Sequence, residues 1–81
     1  MKVVVKLFAG ARELSGLEEV ALDLPAEATV AELRRQLLDA CPSLEPLLPH
    51  AVFAIDASYA TETTVIHEGN EIACIPPVSG G

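Results

Sequence analysis

The stretch Ile72-Ala73-Cys74-Ile75-Pro76-Pro77-Val78-Ser79-Gly80-Gly81 joins an apolar, strand-forming run to two prolines and a pair of glycines. Ile72 to Ile75 offer apolar side chains to both faces, the pattern of a strand lying inside a sheet rather than at its rim. Proline has no backbone N–H and fixes φ, so Pro76 and Pro77 cannot continue a central ladder and should leave it in an extended, semi-rigid form. A strand becomes an arm. From Pro76 to Gly81 that arm has six residues and, at about 3.3 Å each, reaches roughly 20 Å, deep enough to enter a partner's cleft.

Gly80 and Gly81 decide what such an arm is for. Without Cβ atoms they pass a narrow channel and leave the last carbonyl sterically open. The expectation is that Gly81 ends the chain and that its α-carboxyl group, with an ordinary pKa of about 3.3–3.7, is ionised and able to attack an activated phosphate. Composition alone leaves two readings open, a frayed tail after a stopped strand or an arm that presents a reagent.

The ending Ile75-Pro76-Pro77-Val78-Ser79-Gly80-Gly81 resembles the tail of the small, sulfur-carrying subunits of molybdopterin synthase, a family of ubiquitin-like sulfur carriers. A second match, Leu7-Phe8-Ala9-Gly10-Ala11-Arg12-Glu13-Leu14-Ser15-Gly16, is similar to that family's first strand and following turn. With the same order of elements between them, the resemblance covers essentially the whole chain. It implies a β-grasp domain over residues 1–75 and an extended tail over residues 76–81. A ubiquitin-activating-like adenylyltransferase would use ATP to adenylate Gly81, and a sulfur donor would convert the acyl-adenylate to a thiocarboxylate. Pro76, Pro77, Val78, Ser79 and Gly80 would then insert with it into the large catalytic subunit, in a heterotetramer, where the sulfur passes to a pterin precursor. The chain itself would bind no cofactor.

Length and charge narrow the alternatives. Eighty-one residues, about half of them apolar, make one domain with a core built mainly of Val, Leu, Ile and Ala. The net charge of −7 disfavours nucleic acid, which requires a basic face, and suits either solubility or steering toward a basic partner. Cys41 and Cys74 form no CxxC or Cys/His ligand cluster and read as small core hydrophobes, although Cys74 would set a second thiol beside the tail in any sulfur-labelling assay. His50 and His67 are likewise isolated from any metal-ligand pattern. With no signal-peptide core and no apolar span long enough for a bilayer, the expected location is cytoplasmic, without a membrane partner.

Periodicity places the elements. Residues 2–8 read as a first strand with Val3, Val5 and Leu7 on one face and Lys2, Val4, Lys6 and Phe8 on the other. A short helical turn over residues 9–17 leads to a second strand whose Val20, Leu22 and Leu24 point inward. Thr29-Val30-Ala31-Glu32 has the form of a capping box, and Val30, Leu33, Leu37 and Cys41 repeat at helical spacing until Pro42 ends the helix near Ala40. Residues 43–50 hold a single turn, residues 51–55 a third strand and residues 56–59 a turn, with Glu68-Gly69-Asn70 reversing the chain before the last strand. The order predicts an α+β roll, a mixed sheet of four to five strands on one main helix. The family resemblance sharpens this to a β-grasp with its first and last strands parallel at the centre.

No residue forms a general-base, nucleophile or metal constellation, so catalysis is expected of partners. Val4 and Phe8, on the sheet face away from the helix, are the candidate docking residues. Two other fates share the glycine ending, a thiamine-pathway sulfur carrier and a ubiquitin-like modifier joined to lysines. A binding module with an inert tail is the third alternative.

Overall fold

A computed structural model describes residues 1–77. The chain runs β1 (Lys2–Leu7), α1 (Ala9–Ser15), β2 (Glu19–Asp23), α2 (Val30–Ala40), two single-turn 3-10 helices (Pro42–Leu44 and Leu48–His50), β3 (Val52–Ile55), β4 (Ser58–Tyr59) and β5 (Ile72–Ile75). The sheet order is β2-β1-β5-β3-β4. Among the described residues only β1 and β5 pair in parallel, with Val5 beside Ile72 and Leu7 beside Cys74, while the other neighbours are antiparallel. This is the expected mixed sheet.

Side-chain alternation explains why one face is sealed. Val3, Val5 and Leu7 from β1, Leu22 from β2, Phe53 from β3 and Ile72 and Cys74 from β5 are buried together with Val30, Leu33 and Leu37 of α2. Branched and straight apolar side chains at period 2 meet a helical stripe at period 3.6. Leu44 and Leu48, on the two 3-10 turns enforced by Pro42 and Pro49, close the end of this core. Gly16 ends α1 at φ 73°, and its N–H donates to Arg12 O at 2.8 Å, a left-handed cap that a side chain would strain.

Three local expectations need correction. Residues 56–59 are not one turn. Only Asp56 and Ala57 reverse the chain, both in the left-handed region at φ 50° and 69°, and Ser58–Tyr59 returns as β4 with Tyr59 opposite Ala54. A two-residue hairpin favours this turn because its twist matches the strands, and Asp56 is held in it from outside. Its carboxylate accepts from Glu71 N–H at 2.8 Å and from Asn70 Nδ2 at 2.7 Å.

The second correction concerns the start of α2. Thr29 Oγ1 accepts from Glu32 N–H at 3.4 Å, but Glu32 does not reach back; its carboxylate meets Arg35 at 3.3 Å, one turn on. The cap is completed from the loop before β5, where Thr64 O and Glu62 O accept from Val30 and Ala31 N–H at 3.0 Å each.

The third concerns the positions that the Val30, Leu33, Leu37, Cys41 stripe leaves to other faces of α2, Arg34 among them. The Arg34 guanidinium lies over the Phe53 ring, 5.0 Å from the centroid. It donates to Leu48 O and to Ala51 O and pairs with Glu62. One planar cation thereby ties α2 to the segments on both sides of β3 and β4.

Buried and exposed apolar positions should respond differently to truncation. Leu33→Ala, at a fully buried site, is expected to lower the unfolding free energy by about 2–5 kcal/mol in chemical denaturation. Val4→Ala, on the open face, should change it by about 0.5 kcal/mol or less.

Candidate functional site: the tail root and the open sheet face

β5 is the middle strand of the five. Its pairing with β3 persists to its last residue, Val52 standing opposite Ile75, so the chain leaves the sheet from a strand held on both sides. Pro76 is half-buried and Pro77 exposed. Neither can extend the ladder, and the departure point is therefore sharp.

Two clefts flank this root. One, of about 580 Å³, is lined by Phe8, Ala9, Gly10, Glu13 and Leu47 together with Ile75, Pro76 and Pro77. The other, of about 430 Å³, sets His50, Val52 and Tyr59 against the same three tail-root residues. The prolines form a shared wall. Val78, Ser79, Gly80 and Gly81, which complete the predicted tail, lie outside the described residues.

The face of the sheet away from α2 follows from the register. Val4, Lys6, Ala21, Ala54, Val52, Ala73, Ile75 and Tyr59 occupy the alternate positions, opposite in phase to the buried set. Its centre is made of small residues. Between Lys6, Phe8, Ala54, Ala57, Glu71 and Ala73 they leave a shallow hollow of about 240 Å³. Val4 is 41% exposed and Phe8, just past β1 at the start of α1, 44%. Val52 at 43% and Tyr59 at 78% join them. Sequence reasoning did not single out these last two: it read Val52 within the third strand and Tyr59 within a turn. The pairing of Tyr59 with Ala54 is the signal that places Tyr59 on this face. An apolar patch with a cationic side chain at its middle suits a protein partner better than a small substrate.

Cys74 does not behave as a second thiol beside the tail. It is 1% exposed, facing α2, and burial pushes its thiol up to about 11 from an ordinary 9.0, against a smaller opposing pull from the Arg34 charge. The neutral, withdrawn sulfur is a poor nucleophile. Cys41 is also buried. Among the described residues no group of His, Cys, Asp and Glu could hold a metal ion, and no helix is long and apolar enough to cross a membrane.

A mixed sheet wrapped on one long helix, with parallel outer-terminal strands at its centre and a proline-led extension leaving the middle strand, defines a ubiquitin-like β-grasp domain. Residues 5–81 match the ThiS family, and the chain belongs to that family. It is 36% identical to the molybdopterin synthase sulfur carrier subunit of Arabidopsis thaliana, over all of this chain and 84% of that one. The subunit of the same name from Chlamydomonas reinhardtii is 34% identical over the full length of both. Among solved structures, SAMP1 from Haloferax volcanii superposes with a TM-score of 0.87 at 31% identity, covering 100% of both chains.

The state of Cys74 gives a direct check. In the native protein at neutral pH a thiol-alkylating reagent should leave Cys74 unmodified, and denaturant should expose it. Because the folded state favours the protonated thiol, the contribution of Cys74 to stability is complete below pH 9.0 and is lost as pH rises from there through about 11. A Cys74→Ala chain should lack that part of the alkaline decline when unfolding is followed against pH.

Proposed function

We propose that this chain carries sulfur for a molybdopterin synthase, with its last residue as the chemical site. The carrying observation is the geometry of the root, where the chain leaves the middle strand of the sheet through Pro76 and Pro77 beside an open apolar face. Full-length similarity to sulfur carrier subunits supports the reading.

In this proposal a ubiquitin-activating-like adenylyltransferase spends ATP to join the Gly81 carboxylate to AMP, releasing pyrophosphate. The ionised acid is a poor electrophile, and the mixed anhydride supplies a good leaving group. A persulfide on the sulfur donor then attacks the carbonyl and AMP departs; a second thiol of the donor breaks the sulfur–sulfur bond, leaving a thiocarboxylate on Gly81 and a disulfide on the donor. Proline stiffening lowers the entropy lost when the arm enters the large catalytic subunit. Val78 gives that arm its apolar anchor, Ser79 and Gly80 keep it narrow, and the sulfur reaches a pterin precursor at high effective concentration. Val4 and Phe8, with Val52 and Tyr59, dock the sheet on that subunit. ATP serves the activating enzyme, and the carrier holds no cofactor.

The name of the archaeal modifier protein that this chain superposes on favours a second reading, in which the same activated carboxylate is passed to a lysine amine. Covalent adducts of higher mass that vanish when Gly81 is deleted would identify it.

Two outcomes are expected. Incubated with an activating enzyme, ATP and a sulfur donor, the chain should exchange one terminal oxygen for sulfur in intact mass spectra, and a chain carrying one added residue after Gly81 should not; sulfuration of the extended chain refutes the proposal. Val4→Asp with Phe8→Asp should weaken binding to the large subunit at least tenfold, about 1.4 kcal/mol or more, while far-ultraviolet circular dichroism stays unchanged.

A further inference from the structure

The sheet stops at β2, and the register with β1 determines which backbone groups lie on its outer edge. Leu24 N–H donates to Met1 O at 2.7 Å and Leu7 N–H to Glu18 O at 2.8 Å. Hydrogen-bonded pairs therefore alternate with non-bonded ones between those limits, and Val20 and Leu22 direct their amides and carbonyls at Val5 and Val3. Glu19, Ala21 and Asp23 direct theirs outward. Among the described residues nothing bonds to the main chain of these three. β4, at the opposite edge, has only two residues, so β2 is the longer open ladder.

The side chains along this edge are exposed and acidic. Glu19, Ala21 and Asp23 form one exposed row, with Glu18 beside its start. The Asp23 and Glu18 side chains are 84% and 86% exposed. Lys6 and Lys2 stand opposite Glu19 and Asp23 on β1, the Met1 nitrogen is 3.4 Å from Asp23 Oδ1, and Arg12 is 3.9 Å from Glu18. The lysines and the Met1 nitrogen lie inward of β2, and the row that a newcomer would meet carries carboxylates. A second copy of this chain is a poor occupant. Antiparallel pairing of two β2 strands about Ala21 would set Glu19 against Asp23 at both ends, and like charges directly opposite are destabilising.

We propose that the β2 edge is a docking site, separate from the tail and independent of its chemistry, that adds an extended basic segment of another protein to the sheet. The segment bonds to the main chain of Glu19, Ala21 and Asp23, places lysine or arginine side chains against the two carboxylates and sets a small apolar side chain beside Ala21. The main-chain ladder provides the pairing, and charge selects the sequence.

The test uses the isotope-labelled full chain and a short synthetic peptide with lysine, valine and lysine at every second position and threonine between. In nuclear magnetic resonance titrations the Glu19, Ala21 and Asp23 amides should shift and gain protection from exchange, and affinity should fall as salt rises. Ala21→Pro removes an outward N–H, breaks no β1 bond and keeps every charge, so it should weaken binding roughly tenfold. N-methylating the peptide valine should do the same on the unaltered chain, without any change to its fold. Glu19→Gln with Asp23→Asn should weaken binding to a similar extent and flatten the salt dependence. Binding indifferent to both Ala21→Pro and N-methylation, shifts confined to Val4, Phe8, Val52 and Tyr59, or peptide-free shifts of the Glu19, Ala21 and Asp23 amides that grow with protein concentration would each overturn the proposal.

Discussion

The parallel pairing of β1 with β5 is the constraint from which the rest of the domain follows. Val5 lies beside Ile72 and Leu7 beside Cys74, so segments at opposite ends of the sequence are held in register at the centre of the sheet. A parallel pair cannot be closed by a tight turn. The intervening chain must cross over, and α2 does so across the face that Val3, Val5, Leu7, Phe53, Ile72 and Cys74 would otherwise expose. β2 and β3 then add on either side, and β4 follows β3 through a two-residue reversal.

That arrangement divides the labour between two faces of one sheet. The inner face is closed, with no fully buried polar or charged side chain among the described residues. Arg34 supports its rim by satisfying carbonyls of the segment between Leu48 and Ala51. The outer face keeps alanines at its centre and larger apolar groups around them. Clefts on two sides of Pro76 and Pro77 leave the tail root accessible. Among the described residues the body of the domain offers no metal-binding group, and the chain leaves it through Pro76 and Pro77.

Much of this was legible in the residues, and the gaps have physical causes. Strict alternation in β1 and β2 and the Val30, Leu33, Leu37, Cys41 stripe specify burial because each depends on period alone. Pro42 marked the end of α2 and Pro76 and Pro77 the end of β5 by removing donors, whereas the single turn expected over residues 43–50 is two, Pro42–Leu44 and Leu48–His50. β4 was hidden because its turn uses Asp56 and Ala57 in left-handed geometry without a glycine, held by Asn70 and Glu71 from another part of the chain. Arg34 was unreadable as a clamp, since its acceptors are main-chain carbonyls brought near only by folding. Glu32 fitted a capping pattern but found Arg35 closer to hand. Val4 and Phe8 stood out by alternation, whereas Val52 and Tyr59 required the β3–β4 pairing to reveal the same face.

The anchoring of β5 also has a mechanical meaning. Its long axis runs beside β1 in the same direction and beside β3 in the opposite one, so tension applied through Pro77 acts along the ladders rather than across them. The hydrogen bonds on both flanks share that load together, in shear, instead of opening one after another like a zip. A domain built this way resists unfolding from that end more strongly than one whose last strand lay at a sheet rim and could be peeled away.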